Sequence, residues 1–206
     1  MELNNIACGC RKTAAADIGM MSCQAAGEYP SLEGLMPDAR AARMLQTDFA
    51  GSVSETTAVL QYTNHKLVSK PLCAEISDVL SCIAKVEMRH LALIGGAIVK
   101  LGGSPVYCAT RNGRPVPWQQ DFVKYEPTVL KMLESDIQSE RDAIAQYRQT
   151  ITLVNCPALE ALILRIIQDE EVHIQILTTL LQFANRPAER ADTEGVSCGC
   201  FNMPLL

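Results

Sequence analysis

The chain has 206 residues, of which 48% are hydrophobic and 20% charged, and its net charge is −5. This length suits one compact domain with a substantial core, and the acidic balance with scattered Lys and Arg offers no basic face to nucleic acid. No stretch reaches the ~18 uninterrupted apolar residues of a membrane span, and MELNNIACGCRK lacks the order of a signal peptide. We therefore expect a cytoplasmic protein with neither a nucleic-acid nor a membrane partner.

The chain divides into an irregular N-terminal arm (1–37), a helical bundle (38–186) and a C-terminal tail (187–206). Within the bundle the pattern predicts four helices and no strands. The first begins between Asp38 and Ser52 and ends near Ser69; the others span about 73–101, 127–153 and 158–185. A Gly- and Pro-rich crossover, GGSPVYCATRNGRPVPWQQ, separates the second from the third. The expected fold is all-α: two helical hairpins joined by a long connection, the ferritin-like form of four-helix bundle.

The two predicted hairpins share a sequence pattern. ETTAVLQY at 55–62 aligns with ERDAIAQY at 140–147, and EMRHLALI at 87–94 aligns with EEVHIQIL at 170–177. Each half thus carries a Glu, a Tyr seven residues later, and then Glu-x-x-His. This repetition indicates a pseudo-two-fold bundle built from a duplicated hairpin.

The polar residues of this pattern lie on the apolar faces of their helices, because residues three or four apart share a helix face. They also lie at one height. Glu55 and Glu87 are each sixteen residues from a turn at Pro71, and Glu140 and Glu170 are each fifteen from a turn at Asn155. Antiparallel helices place such equidistant residues at the same level.

Four buried carboxylates that close together would repel one another unless cations compensated them. One Glu from each of two helices plus Glu-x-x-His from two others is a di-metal carboxylate set, suited to two Fe or two Mn ions. We assign Glu55 and His90 to one ion and Glu140 and His173 to the other, with Glu87 and Glu170 as bridges. The alternatives are solvated Glu–His pairs and, for Glu55, a capping box that starts at Ser52.

The motifs SETTAVLQY, VEMRHL, SERDAIAQY and DEEVHI resemble those of the rubrerythrin, bacterioferritin and manganese catalase group of the ferritin-like superfamily, over about residues 48–185. The resemblance implies a four-helix bundle with an iron or manganese pair that reacts with dioxygen or peroxide. Two features differ from rubrerythrins: Ile137 stands where an extra glutamate often occurs, and the two C-x-x-C knuckles of a rubredoxin are missing.

Three further residues are candidates for a catalytic role. The resemblance suggests that Asp169 orients His90 from across the bundle, whereas no partner can be named for His173. Tyr62 and Tyr147, two turns beyond Glu55 and Glu140, could bond a carboxylate or intercept an oxidising equivalent, or could be ordinary core residues. His65 is expected at the surface or in a dimer contact.

The leading functional interpretation is an oxidoreductase acting on peroxide or dioxygen, in the manner of rubrerythrin, with an external electron donor where peroxide is reduced. The alternatives are a manganese catalase, an iron-binding ferroxidase or storage protein, and a metal-filled scaffold without turnover. A homodimer or larger homo-oligomer is expected. The ligands alone do not choose between iron and manganese.

The nine cysteines are odd in number and Cys73, Cys82, Cys108 and Cys156 occur singly, which predicts reduced thiols rather than a disulfide scaffold. Two C-G-C pairs stand near the chain ends: Cys8 with Cys10, and Cys198 with Cys200. They either bind metal or act in redox chemistry, or belong to exposed tails. Since the first helix starts and the fourth ends at opposite ends of the bundle, we expect no intrachain four-sulfur site.

Overall fold

The protein is represented by a computed structural model that describes residues 22–111 and 114–185. Five helices, two strands and one 3-10 turn lie in these ranges. In chain order they are α1 (Ala39–Ala50), α2 (Glu55–Ser69), α3 (Ala74–Lys100), β1 (Cys108–Arg111), β2 (Arg114–Pro117), the 3-10 turn (Gln120–Phe122), α4 (Val129–Leu153) and α5 (Pro157–Ala184). None of the helices in the described ranges is long and apolar enough to cross a membrane.

The helical hairpins lie where the sequence predicts them. α2 packs along α3, and α4 packs along α5. The turns between them fall at residues 70–73 and 154–156, and the ends of α3, α4 and α5 lie within two residues of the predicted bounds. A long connection, residues 101–128, joins the two hairpins. The ferritin-like bundle is therefore confirmed.

The first predicted helix is two helices rather than one. α1 ends at Gly51, where a side chain would place a Cβ atom only 2.6 Å from the carbonyl oxygen of Thr47. α2 then starts afresh with Ser54 as its N-cap, whose hydroxyl accepts a hydrogen bond from the Thr57 backbone N–H. The capping box at Ser52 was wrong, because the cap is two residues later and Glu55 is the first helical residue.

The crossover contains a β-hairpin that the sequence analysis did not predict. β1 and β2 pair antiparallel, with Cys108 opposite Pro117 and Ala109 opposite Val116. Strands of four residues are too short for apolar alternation to show. The Asn-Gly pair at 112–113 is nevertheless a hairpin signal that could have indicated them.

The core has two apolar clusters with a polar layer between them. One cluster includes Leu80, Ile83 and Leu177, and the other includes Ile98 and Ile163. On α3 the first cluster reaches residue 86 and the buried members of the second begin at 94. The level between them is the level of both Glu-x-x-His motifs. Apolar packing on both sides therefore fixes the height of the polar side chains.

The cysteine prediction was wrong for Cys82, which forms a disulfide with Cys23 of the arm, with the two Cα atoms 6.0 Å apart. A pairing across 59 residues leaves no spacing pattern in the sequence. Cys108 and Cys156 are free thiols, as expected. The four C-G-C cysteines lie outside the described residues, and the limits of arm, bundle and tail stay predictions.

Candidate metal centre

Four helices bring six ligand-type side chains together in the polar layer. α2 contributes Glu55 from its first position, α4 contributes Glu140, and α3 and α5 each contribute a Glu-x-x-His pair. All six are at most 3% exposed: Glu55, Glu87, His90, Glu140, Glu170 and His173. The predicted convergence is thus present in the structure, and none of the six faces solvent.

The two glutamates of the Glu-x-x-His motifs each face both histidines. Glu87 places Oε2 3.4 Å from Nδ1 of His90 and Oε1 2.9 Å from Nδ1 of His173. Glu170 places Oε1 3.3 Å from Nδ1 of His90 and Oε2 2.9 Å from Nδ1 of His173. One oxygen of each carboxylate thus belongs to each half of the site.

The remaining two glutamates each serve one half. Glu55 Oε2 lies 3.8 Å from His90 Nδ1, and Glu140 Oε1 lies 3.6 Å from His173 Nδ1. The result is two overlapping sets, each with ligand atoms within 4.8 Å of one another. The first set is Glu55, Glu87, His90 and Glu170, and the second is Glu87, Glu140, Glu170 and His173.

Several of these atoms have no hydrogen-bond partner despite their closeness. The buried atoms without one include Nδ1 of both histidines and one oxygen each of Glu55, Glu87 and Glu170. The Glu87 and Glu170 oxygens lie 2.9–3.4 Å from the histidine nitrogens, and the Glu55 oxygen lies 3.8 Å from His90 Nδ1, yet none of these contacts is a hydrogen bond. Unsatisfied buried polar atoms are rare in folded proteins because each costs desolvation energy. Lone pairs directed at common points are what a pair of cations requires, so the donor set fits two metal ions.

The protonation of the carboxylates reflects burial and mutual repulsion. Burial, reinforced by Glu87 and Glu170, raises the pKa of Glu140 to about 8. Burial likewise raises the pKa of Glu55 well above its ordinary value, although the neighbouring His90 opposes it. Burial alone would raise the pKa of Glu87 too, but the two imidazoles, His173 first, hold it below the ordinary range. The site thus retains protons that bound cations would displace.

Tyr62 and Tyr147 reach across the bundle to the glutamates of the opposite hairpin. Tyr62 donates its hydroxyl to Oε1 of Glu140, and Tyr147 donates its hydroxyl to Oε1 of Glu55. Both tyrosines are at most 3% exposed. Burial and the adjacent carboxylates raise both tyrosine pKa values well above 10.0, so both hydroxyls stay protonated donors.

Asp169 contacts the outer nitrogen of His90, the one that points away from the carboxylates. The His90 Nε2 atom lies 3.0 Å from Oδ2 of Asp169. Asp169 also accepts hydrogen bonds from Arg165 Nη1 at 2.7 Å, Tyr29 Oη at 2.6 Å and the Ala25 backbone N–H at 2.7 Å. Burial opposes ionisation of Asp169, but these bonds hold its pKa below the ordinary range. The resulting carboxylate fixes His90 with Nδ1 toward the glutamates.

The outer nitrogen of His173 contacts the arm rather than a side chain. Its Nε2 atom lies 2.9 Å from the carbonyl oxygen of Cys23. A carbonyl accepts but cannot donate, so Nε2 carries a proton and Nδ1 is the nitrogen that faces the carboxylates. This partner cannot be predicted from the sequence, because every residue has a backbone carbonyl. The contact between Arg165 and Asp169 could have been predicted, since Arg165 stands one helical turn before Asp169.

His65 lies in the bundle interior rather than at the surface. It is 1% exposed, with Nδ1 2.8 Å from Oδ1 of Asp136 and Nε2 2.8 Å from the carbonyl of Lys124. Gln61 donates to the same Asp136 oxygen at 2.9 Å. The surface prediction was wrong because the carboxylate that pairs with His65 stands on another helix. The pair pins α2 to α4 and to the crossover.

A similar arrangement occurs in the other half of the bundle, with Thr150 in place of His65 and with the carboxylate supplied by Asp48 of α1. Gln146, the counterpart of Gln61, donates to Oδ1 of Asp48 at 2.9 Å, and Thr150, at the position equivalent to His65, donates to the same oxygen at 3.1 Å. Asp48 is 1% exposed and its Oδ2 atom has no hydrogen-bond partner. Burial raises the pKa of Asp48 to about 7, although the bonds from Thr150 and Gln146 oppose the rise.

A cavity of about 310 Å³ reaches the carboxylates. Its lining includes the four glutamates, Tyr62 and Tyr147, but neither histidine. Asp48, Ala143 and Lys124 also line it, and the exposed Asp121 marks where it meets solvent. The cavity therefore approaches the carboxylate side of the centre, while the arm covers the histidine side.

Comparison with known proteins identifies relatives of this fold. The family model described as ferritin-like domain matches residues 53–186. KatB, a manganese catalase from Anabaena PCC7120, aligns with 83% of this chain and 85% of its own at 19% identity and a TM-score of 0.70. The bacterioferritin of Rhodobacter capsulatus aligns over 74% and 89% at 25% identity and a TM-score of 0.59. That of Mycobacterium tuberculosis aligns over 73% and 89% at 24% identity and 0.60. No curated protein sequence matches.

Proposed function

The chain belongs to the ferritin-like domain family, and on this premise we propose that it is a two-metal oxidoreductase acting on peroxide or dioxygen. Glu55 and His90 would hold one ion of an iron or manganese pair, and Glu140 and His173 would hold the other. Glu87 and Glu170 would serve both ions.

One observation carries this proposal: the two oxygens of Glu87, like those of Glu170, divide between the two histidines. A single ion would draw both oxygens of a carboxylate toward one point. Two carboxylates that each face two imidazoles fit a dinuclear centre. The bacterioferritin of Rhodobacter capsulatus, itself described as having a dinuclear site, supports the same interpretation.

When bound, the metal pair supplies the electrons for a two-electron change at an oxygen–oxygen bond. The residues of this chain set the conditions. Tyr62 and Tyr147 hold the two terminal carboxylates by their hydroxyl protons, and Asp169 pairs with His90 Nε2, so that Nδ1 is the nitrogen that would bind a metal. Because burial keeps the tyrosine pKa values high, both hydroxyls also retain a transferable hydrogen beside the centre.

The cavity has room for a small substrate. A volume of about 310 Å³ that reaches the four glutamates admits hydrogen peroxide or dioxygen readily. Peroxide reduction consumes two protons and two electrons to give two waters, so it needs an external donor. Disproportionation of two peroxides to dioxygen and two waters needs none. The sequence contains no C-x-x-C pair of the kind that a built-in rubredoxin donor uses.

The decisive test begins with metal analysis of the protein purified from its own source, where two iron or two manganese ions per chain are expected. Peroxide consumption is then followed with and without a reductant in an oxygen electrode. Turnover that depends on the reductant supports the peroxidase form. Oxygen evolution without reductant identifies the manganese catalase alternative, and uptake of many irons per chain identifies storage.

A chain that binds fewer than two ions in every preparation contradicts the two-metal proposal itself. The same outcome would contradict the assignment of Glu87 and Glu170 as bridges. Cytoplasmic location and homo-oligomer formation stay predictions, to be checked by fractionation and by light scattering.

A further inference from the structure

The arm forms a strap, residues 22–29, over the histidine side of the centre. Besides the Cys23 carbonyl at His173 and the Ala25 and Tyr29 donors at Asp169, the strap accepts two hydrogen bonds from Arg165 Nη2. These run to the carbonyl oxygens of Ala25 at 2.8 Å and Gly27 at 3.2 Å. The Arg165 guanidinium also lies 4.6 Å from the centre of the Tyr29 ring. The strap thus makes polar contacts to the surroundings of both histidines.

The two histidines depend on the strap to different extents. His90 bonds to Asp169, a side chain of α5 that Arg165 of the same helix also holds. Among the described residues, the outer nitrogen of His173 bonds only to the Cys23 carbonyl, and this carbonyl belongs to the strap itself. Displacement of the strap would therefore remove the outer partner of His173 and leave the principal partner of His90 in place.

A covalent bond fixes this carbonyl, because Cys23 is the strap residue that is joined to Cys82. Cys82 stands on α3, five residues before Glu87. The disulfide thus ties the hydrogen-bond acceptor of one ligand, His173, to the helix that carries a bridging ligand. We propose that Cys23 and Cys82 are positioning residues for the second metal position, and that their disulfide and metal binding at His173 stabilise each other.

The chemistry of uncoupling is a two-electron reduction. A phosphine attacks one sulfur and the S–S bond breaks. Water then supplies the oxygen of the phosphine oxide and the protons of the two thiols. The strap then loses its covalent link to α3 and keeps only its hydrogen bonds to Asp169 and Arg165, so the Cys23 carbonyl is held less firmly on His173. Loss of such an outer hydrogen bond typically lowers metal affinity about 10- to 100-fold. By reciprocity, bound metal shifts the equilibrium between disulfide and dithiol toward the disulfide by the same factor.

The inference rests on the proposed function, and the first experiment separates the two. Mn²⁺ binding is measured by calorimetry or electron paramagnetic resonance on the oxidised full chain, on the phosphine-reduced chain and on the Cys82→Ser variant. Two ions bound by the oxidised chain support the two-metal proposal. For the inference, reduction or Cys82→Ser must weaken one ion about 10- to 100-fold and the other much less. If each of the two ions binds with the same affinity, within twofold, in all three proteins, the inference is overturned and the two-metal proposal stands.

Cys108→Ser is the matched control, because Cys108 is a free thiol of the crossover. Its Mn²⁺ affinities should match those of the oxidised wild type, and should fall on phosphine treatment as the wild-type values do. The reciprocal measurement is the fraction of Cys23–Cys82 reduced at equilibrium in a thiol–disulfide redox buffer, read by thiol labelling and mass spectrometry. A lower fraction with Mn²⁺ than without is expected, and equal fractions count against coupling.

A third readout needs no metal. The chain has only three histidines, so the imidazole nitrogen spectrum of the metal-free protein is simple. In the oxidised protein the Nε2 proton of His173 should exchange slowly with water, since it is bonded to the buried Cys23 carbonyl. Reduction should speed this exchange at least tenfold while the His65 signal stays unchanged. If the His173 proton keeps its protection in folded, reduced protein, the disulfide does not position His173 and the inference fails.

Discussion

Tyr147 donates its hydroxyl proton to Glu55 of the opposite helical hairpin, and Tyr62 does the same for Glu140. Each hairpin therefore holds a terminal carboxylate of the other. The bond from Tyr147 lowers the pKa of Glu55, which burial otherwise raises. Tyrosine and glutamate thus act together to keep a ligand oxygen available in an apolar layer.

We expect Tyr147→Phe to weaken one metal ion about 10- to 100-fold, because Glu55 loses its donor and holds its proton more tightly. The change also leaves a buried acceptor unpaired, at a cost of about 1–3 kcal/mol in the free energy of unfolding. Metal titration and urea unfolding measure the two effects. Tyr125→Phe, at a residue 66% exposed, is the control. Unchanged affinity for both ions would show that the hydroxyl does not support Glu55.

Glu140→Gln should lower metal content and stabilise the metal-free fold at high pH. The Gln oxygen can still accept from Tyr62, but an amide is a poor ligand, so at most one ion per chain is expected. The folded-state pKa of Glu140, about 8, exceeds the ordinary 4.5. The folded state therefore binds the proton more tightly than the unfolded state does. The part of the wild-type unfolding free energy that depends on this proton is lost as the pH rises from about 4.5 to 8.

The Gln variant lacks this loss, so its unfolding free energy should exceed that of metal-free wild type above pH 8 and converge with it near pH 4. Chemical unfolding at a series of pH values measures this difference in unfolding free energy. Glu134→Gln on the same helix is the control, since Glu134 is exposed and pairs with Lys131 at 2.6 Å. If the unfolding free energies of Glu140→Gln and wild type depend on pH in the same way, Glu140 is not a buried carboxyl with a raised pKa.

The core of the site was predictable because periodicity and duplication act together. Two Glu-x-x-His motifs and two further glutamates, at matching distances from the turns, leave little freedom in where four antiparallel helices place them. The groups that hydrogen-bond to the ligands and to Asp169 were harder to predict from the sequence. The Cys23 carbonyl and the Ala25 N–H are backbone groups of an aperiodic arm, so their identity as partners depends on where the chain runs. His65 was misplaced for a related reason, because its carboxylate, Asp136, lies on another helix.

Asp48→Asn should stabilise the protein at alkaline pH. The folded pKa of Asp48, about 7, exceeds its ordinary value of 3.8. The part of the stability that depends on its proton is therefore fully present below about pH 4 and is lost as the pH rises to 7. At about 1.4 kcal/mol per pKa unit, the variant should gain up to about 4 kcal/mol over wild type at pH 8. Gln146 and Thr150 can still donate to the Asn oxygen.

The comparison is made by chemical unfolding of metal-free protein at pH 4 and pH 8. Asp121→Asn removes a charge at the exposed rim of the same cavity and should leave the stability nearly unchanged at both. A variant that is less stable than wild type at pH 8 would mean that Asp48 is held as a stabilising anion.

Ala143→Phe should obstruct the cavity without touching a ligand. Ala143 lines the cavity one turn beyond Glu140, so a phenyl group there narrows the approach to the carboxylates. We expect peroxide turnover at limiting substrate to fall at least about tenfold while two ions still bind. Ala145→Phe, on the exposed face of the same helix, is the control. Full turnover in the Ala143 variant would place the substrate route elsewhere.

The acceptor of His173 is a main-chain oxygen, and this gives the two halves of the duplicated centre unequal tolerance to mutation. Asp169 can be lost by a single base change, and with it the support of His90. No side-chain substitution deletes the carbonyl of Cys23. Its position depends on the chain path and on the Cys23–Cys82 disulfide, so insertions or deletions between Cys23 and Tyr29 are changes that selection must remove along with loss of either cysteine. Natural variants should therefore keep both cysteines and the length of this segment while the side chains at 24–28 drift.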